Sequence, residues 1–501
     1  MSATITPYRP QTPPSRAGFG QLLHAEWTKF RTVRGWLIGL LVAGLVIVLV
    51  GLVAAGGSRR DCVGPHGRAC PANVSGPTGP GGEAVADGFS FVHQRLAGNG
   101  SLTVRVASLT GADTKRVEPW AKAGLIVKAN TRQGSPYAAV MLTGSHGVRM
   151  QYDFTHDIAG SPTARWLRLV RSGNTVTGYA SADGTQWTKV GSAKLAGLPK
   201  AVPAGLFVTS PDHVTTTQSV GSFSTDGHGT TATAAFDHVR RSGGWAAQGW
   251  QGSTVGDGPP GEGFTRSGGT FTVAGSGDIA PAVGDHNSVE GSLVGTFAGL
   301  IVVIVLAAMF VTAEYRRGLI RTTLAASPRR GRVLLAKAVV LGWVTFLAAL
   351  AAAALAFWVV GAIRRHNGML ILPVSTLTEF RVVVGTAAML AVSAVLALAV
   401  GAVLRRGAGA VATAIVLLVL PYILAIASLL PAGPAQWLLR ITPAAGFAIQ
   451  QSIRQYAQVQ ATYTPPVGYY PLAPWVGFGV LCAWAALALG LAIVLLRRRD
   501  A

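Results

Sequence analysis

Charge-free apolar runs and alternating segments divide this chain into two territories. Six stretches carry no charged side chain: Trp36–Ala55, Ser292–Thr312, Ala338–Gly361, Val382–Leu404, Ala408–Leu430 and Pro474–Leu496. Each is close to the ~20 residues a helix needs to cross the hydrocarbon of a bilayer. A single run of this kind reads equally well as a buried core helix. Six together predict a polytopic, α-helical membrane protein. None of the runs holds an ionisable pair, which argues against a proton-coupled carrier.

Between the first and second runs lie about 230 residues rich in Gly, Ser, Thr and Val. Period-two alternation recurs in Leu102–Val106, Ala123–Lys128, Trp166–Val170, Thr175–Tyr179 and Ala204–Val208, as in half-buried strands. Turn chemistry separates them, including Arg171-Ser-Gly-Asn174 and Asp183-Gly184. Many short strands with regular turns predict an all-β sandwich. The expected order is an N-terminal segment (1–35), a first span (36–55), a linker (56–83) and the sandwich (84–242). A Gly-rich segment (243–291) follows, either a last strand pair near Ser267–Pro281 or a stalk. Then come span two (292–312), a loop (313–337), spans three to six (338–496) and a short tail (497–501).

Composition agrees with this division. Half the residues are hydrophobic and only 12% are charged, which excludes an ordinary soluble globule. The net charge of +22 raises a nucleic-acid reading, so its location matters. Residues 1–35, the 313–337 loop, Arg405–Arg406 and Arg497–Arg499 hold 17 Lys/Arg against Glu26, Glu314 and Asp500. Residues 59–290 hold 20 basic and 16 acidic residues. The excess is juxtamembrane, where it sets orientation and meets anionic headgroups. A lipid bilayer is expected as partner, and no nucleic acid.

The 314–337 stretch carries seven Lys/Arg against one Glu, and short basic connections stay cytoplasmic. Both termini are then expected inside and residues 59–290 outside. Arg59-Arg60 and Arg364-Arg365 fall on the outer side against that rule. The first apolar run is expected to stay as an uncleaved signal anchor.

Glu314-Tyr-Arg-Arg-Gly-Leu-Ile-Arg-Thr-Thr-Leu324, followed by Ser327-Pro-Arg-Arg330, resembles the cytoplasmic loop after the second span of bacterial ABC-2-type permeases. Leu23-His-Ala-Glu-Trp-Thr-Lys-Phe-Arg-Thr-Val-Arg-Gly-Trp36 looks like the elbow helix of the same family. The resemblance implies a six-span permease subunit of an ATP-driven exporter in a bacterial cytoplasmic membrane. It implies a coupling helix within Gly318–Ala326 that docks on an ATPase subunit. Glu314, Tyr315, Arg316, Arg317, Arg321, Thr322 and Leu324 are its candidate contacts, with Glu314 pairing locally. The plainer reading of the loop is topogenic charge with no specific partner. In the elbow, Phe19, Leu23, Trp27 and Phe30 form an apolar stripe, while Glu26, Lys29, Arg31 and Arg34 reach water or headgroups. The chain has no G-x-x-x-x-G-K-[ST] phosphate loop. ATP and Mg²⁺ are therefore expected on a separate chain, with no cofactor or metal in this one. Two six-span halves are implied, from a second copy or a sister permease.

Trp120-Ala-Lys-Ala-Gly-Leu-Ile-Val-Lys128, Trp166–Asn174, Ser181–Trp187 and Phe236-Asp-His-Val239 resemble, in order, concanavalin-like and laminin-G-like jelly-roll domains. Trp120, Tyr137, Tyr152, Trp166, Tyr179 and Trp187 either fill the sandwich core or offer stacking faces to an envelope glycan. No catalytic residues are assigned. Cys62 and Cys70 are close in sequence on the expected outer side, where a disulfide is permitted. A zinc reading with His66 has only three ligands. Cys482 reads as an apolar filler inside a span. Near the C-terminus, Thr442-Pro443 reads as a helix start, with Phe447, Ile449, Ile453 and Tyr456 on one stripe of a surface or re-entrant helix. The rival to a permease is a membrane-anchored glycan-binding or envelope-sensing protein that transports nothing.

Overall fold

The computed structural model describes residues 18–58, 76–111, 116–219, 222–256, 264–283, 288–319, 329–369 and 371–498. Cys62 and Cys70 lie outside these residues, as do Arg321, Thr322 and Leu324. Helix α1 (Phe19–Thr32) meets α2 (Arg34–Gly56) at the extended residue Val33. The bundle continues with α3 (Thr296–Arg316), α4 (Arg330–His366), α5 (Thr376–Leu404), α6 (Gly407–Leu418), α7 (Leu420–Ile426), α8 (Ala432–Ile441) and α9 (Pro474–Arg498). Among the described residues, six helical segments are long and apolar enough to cross a membrane, α6 and α7 counting as one.

The fifth segment is broken where Pro421 stands near the start of α7. A proline inside a helix removes one hydrogen bond and crowds the carbonyl four residues back. Helix ends at Ile426 rather than at the end of the apolar run, and Ser428 takes a left-handed φ of 53°. Helix α4 overshoots its apolar run at both ends. Lys337 and Arg364 sit on it about 40 Å apart at 1.5 Å per residue, close to the full thickness of a bilayer with its headgroups.

The β-rich region holds 13 strands in one continuous hydrogen-bonded sheet that folds into two layers. Strand β2 (Phe89–Gly111) is the hinge. Its first half pairs with β10 (Ala201–Thr209) and β14 (Gln251–Val255), its second half with β7 (Trp166–Ser172) and β13 (Thr231–Trp245). The turn between the halves lies at Gly98, whose φ of 69° favours glycine. Layer one runs on from β10 through β3 (Lys122–Lys128), β4 (Tyr137–Thr143), β5 (Val148–Tyr152) and β6 (His156–Ala159). Layer two adds β8 (Thr175–Ser181) and β9 (Thr188–Lys194) on one side, and β15 (Thr265–Ser267) and β16 (Thr270–Ser276) on the other. Val, Leu, Ala and Met side chains from both layers make the shared interior, with Phe236 and Phe271.

The domain therefore runs past residue 242. The Gly-rich stretch is built into the sheet through β14, β15 and β16 rather than acting as a stalk. Strand β1 (Val85–Asp87) pairs with β17 (Ile279–Pro281), so the chain enters and leaves the domain side by side. Hairpin β11 (His213–Ser219) and β12 (Ser222–His228) stands apart. Layer one is also covered on its outer face, where Tyr137, Phe154 and Ile279 form a second buried cluster. Lys128 bonds Asp87 at 2.6 Å there, and Lys122 bonds Asp278 at 2.5 Å. These pairs tie β3 to the two ends of the domain.

Candidate functional site

At the end of the bundle away from the β domain, α1, the last turn of α3 and the first turns of α4 converge on one lysine. Lys337 Nζ lies 2.7 Å from Glu26 Oε2 and 2.6 Å from Glu314 Oε1, with side-chain exposures of 1%, 3% and 14%. Lys29 reaches Glu26 at 2.9 Å and Glu314 at 3.7 Å. Burial pushes the Lys29 ammonium down, yet the two carboxylates outweigh it and the net shift is upward. The Phe310 ring lies 5.2 Å from Lys337 and meets Phe30 and Trp36 edge-on. Arg405, which ends α5 in a left-handed conformation, stacks over Tyr315 at 5.3 Å. Arg330 donates to the Leu496 carbonyl of α9. Both ends of the basic loop are thus held by buried or stacked contacts.

Two expectations are corrected here. Glu26 points inward instead of to water, while Trp27 on the expected apolar stripe is exposed. Glu314 pairs across the loop with Lys337 rather than locally. Helices of span length do carry buried ionisable groups, Lys337 at one end of α4 and Arg364 at the other. Arg31 lies exposed on α1, and Arg316 and Arg317 close α3, both exposed.

The opposite end of the bundle holds a cavity of about 600 Å³ between α2, α3, α7 and the short helix Pro443–Gln450. Apolar side chains such as Val50, Phe297 and Ile423 form its walls, and Glu290, Arg364 and Tyr470 reach it. Arg364 Nη1 donates to the Ser288 carbonyl at 3.1 Å and lies 3.4 Å from Ser292 Oγ. This accounts for an arginine on the side the charge rule disfavours. Burial raises the Glu290 carboxyl above its usual range, although it accepts a hydrogen bond from Ser452. Residues 443–450 are all buried as a 3₁₀ segment, and the stripe through Ile453 and Tyr456 does not form. The Thr442 hydroxyl donates back to Leu438 instead of capping.

In the β domain, Tyr137 and Trp120 are buried while Tyr152, Trp166, Tyr179 and Trp187 are half-buried. Of the six, Tyr152 packs against the edge of the shared interior between the layers, and the other five do not belong to it. The register sets Tyr179, Arg168 and Thr103 in one cross-strand row and Ser181, Trp166, Arg105 and Asp237 in the next. Arg168 stacks on Trp187 at 3.9 Å.

The family model described as ABC-2 family transporter protein matches residues 148–501. The chain belongs to that family. The match takes in α3 to α9, and the chain's role is that of a permease-type transporter subunit in a membrane rather than an enzyme. No curated protein matches it. Among solved structures it is similar to a functionally unknown protein from Saccharomyces cerevisiae, at 14% identity over 30% of this chain and 74% of that chain, with a TM-score of 0.21. SCP-B, of the Eqolisin family of peptidases, shares 9% identity over 38% of this chain and 98% of that one, at a TM-score of 0.24. Scytalido-glutamic peptidase gives 12%, 38%, 98% and 0.23. Scores this low carry no argument about fold or chemistry.

Proposed function

We propose that this ABC-2 family protein forms one half of the pathway of an ATP-driven exporter, working with a separate ATPase and a second copy or sister permease. The observation that carries the reading is the Lys337–Glu26–Glu314 node. It fastens the elbow helix to both flanks of the 317–329 loop, so force applied to that loop passes directly into α1, α3 and α4. Topogenic charge alone requires no buried tether, and a sensor without transport has no use for one. With the loop facing the cytoplasm, both termini lie inside and the β domain outside. Co-expression with the ATPase encoded beside it, followed by affinity capture, tests the partnership. Failure of any nucleotide-binding chain to co-purify with the intact protein counts against it.

The outer domain is read as a concanavalin-like module that recognises an envelope glycan. The supporting observation is the placement of Trp166, Tyr179 and Trp187 on the outside of layer two, beside Arg105 and Arg168. Aromatic faces edged by guanidinium groups suit acidic sugars, which stack and pair at once.

A further inference from the structure

Strand β13 outruns its neighbour at one edge of layer two. Strand β16 pairs with it from Thr231 to Phe236, and the β15–β16 hairpin turns at Gly268 and Gly269. Beyond that turn β13 continues to Trp245, paired among the described residues with β2 only. Its edge from His238 to Arg241 borders a notch of about 490 Å³, the size of a site for one small ligand.

A bulge aims side chains into this notch. Asp237 opposes Arg105 and Arg240 opposes Thr103, so β13 holds one residue more than β2 over this step. His238 takes a left-handed φ of 52° there. Side chains alternate between the faces of a strand, so one extra residue moves the later ones to the opposite face. Arg241 thereby falls opposite Leu102 of the interior instead of joining Arg105 on the outer face.

Two guanidinium groups line the notch, each set against a ring. Arg241 lies 5.6 Å from the Trp250 ring and donates from Nη1 to the Gln94 side-chain oxygen. Arg266 opposes Phe271 across the hairpin and lies 5.0 Å from its ring. Stacking steadies an arginine and leaves its N–H edge for an acceptor. Asp237 is the one carboxylate in the lining. Arg105 already holds it through Nε at 2.9 Å and through Nη2, with His238 Nδ1 3.0 Å from Oδ1. Neither Arg241 nor Arg266 has a carboxylate within ion-pair distance among the described residues. The notch therefore carries two unmatched positive charges beside an indole face.

We propose that this notch is a second sugar-binding site, taking one acidic residue of a glycan with its carboxylate or phosphate on Arg241 and Arg266 and its ring against Trp250. Arginine forks suit either oxyanion. The inference rests on the glycan reading of the domain for its meaning, but it uses none of Arg168, Tyr179 and Trp187. The test follows fluorescence anisotropy of labelled tetragalacturonate with the full chain in zwitterionic nanodiscs. Galacturonate, glucose 6-phosphate and glucose serve as competitors for carboxylate, phosphate and neither.

Saturable binding is expected, with glucose at least tenfold the weakest competitor, and the better of the two anions names the oxyanion. Arg266→Gln is expected to weaken binding at least fivefold, and Arg266→Lys to recover part of the loss. Arg266 is exposed and makes only a ring contact, so its variants are expected to fold, which gel filtration checks. The fivefold effect is expected to persist when Trp187→Ala and Arg168→Ala are also present. Absence of saturable binding to the parent, equal competition by all three sugars, or full binding in Arg266→Gln overturns the proposal. Loss of binding on Arg266→Gln but not on Trp187→Ala with Arg168→Ala upholds the notch and removes the glycan reading of the aromatic face. The reverse pattern upholds that face and overturns the notch.

Discussion

Replacing Lys337 with Met isolates the worth of the charge node. Methionine keeps most of the length and loses the ammonium, leaving Glu26 and Glu314 facing a site that is nearly dry. Removing one partner of a buried ion pair typically costs about 3–5 kcal/mol, because the remaining charge stays desolvated. Lys29 is still 2.9 Å from Glu26 and 3.7 Å from Glu314, so it neutralises part of the excess. A loss of about 2–3 kcal/mol is therefore expected, below most of that range because Lys29 compensates. Equilibrium unfolding of the purified protein in mixed micelles, followed by tryptophan fluorescence, measures it. Adding Glu314→Gln restores charge balance and is expected to recover at least half the loss, since a matched neutral replacement of a buried pair is often tolerated. A single-variant cost below about 1 kcal/mol, the range of exposed pairs, refutes the buried-tether argument. So does strict additivity in the double variant.

Other expectations follow from the same contacts. Glu290 has a raised pKa in the folded protein, so its protonated form favours folding below the ordinary glutamate range and that benefit fades as pH rises through the raised value; Glu290→Gln is expected to flatten this part of the stability–pH curve and to be neutral or stabilising at pH 7, and an unchanged pH profile by thermal unfolding contradicts it. Trp187→Ala with Arg168→Ala is expected to reduce retention of the full chain on an acidic polysaccharide resin several-fold while leaving a neutral dextran column unaffected; equal behaviour of parent and variant on both resins removes the glycan reading of that face. A cysteine introduced at the exposed Ser145 is expected to react with an impermeant thiol reagent on intact cells, and one at Ala326 only after permeabilisation; the opposite pattern reverses the orientation.

The spans were legible in the sequence because a charge-free run of twenty residues has few other uses. The strands were legible for the same kind of reason: Ala123–Lys128 and Ala204–Val208 alternate or pack as strands wherever they pair. What escaped was long-range pairing. Glu26 on an amphipathic helix reads as a water-facing residue until Lys337, 311 residues later, is seen beside it. Arg364 reads as a violation of the charge rule because its acceptors, Ser288 and Ser292, belong to a different helix junction. The aromatics read as core because aromatic residues in strands usually are, yet the interior between the layers is almost wholly aliphatic. The Gly-rich stretch after residue 242 left a last strand pair and a stalk both open, and the strand pair is what forms: β16 alternates cleanly from Thr270 to Ser276 and pairs with β13. The cavity draws on six separate parts of the chain, and no local pattern announces it.

The central claim, that the 317–329 loop conveys the work of a separate ATPase, is tested most directly by changing its arginines without changing the fold. Arg316, Arg317 and Arg321 replaced together by Ala leave Arg329, Arg330, Arg332 and Lys337 to hold orientation. Single exposed pairs are worth only ~0–1 kcal/mol, so the triple change is the informative one. Membrane insertion and folding are expected to survive, while ATPase co-purification and substrate-stimulated ATP hydrolysis fall together. A triple variant that captures its ATPase and stimulates hydrolysis at the parent level contradicts the account.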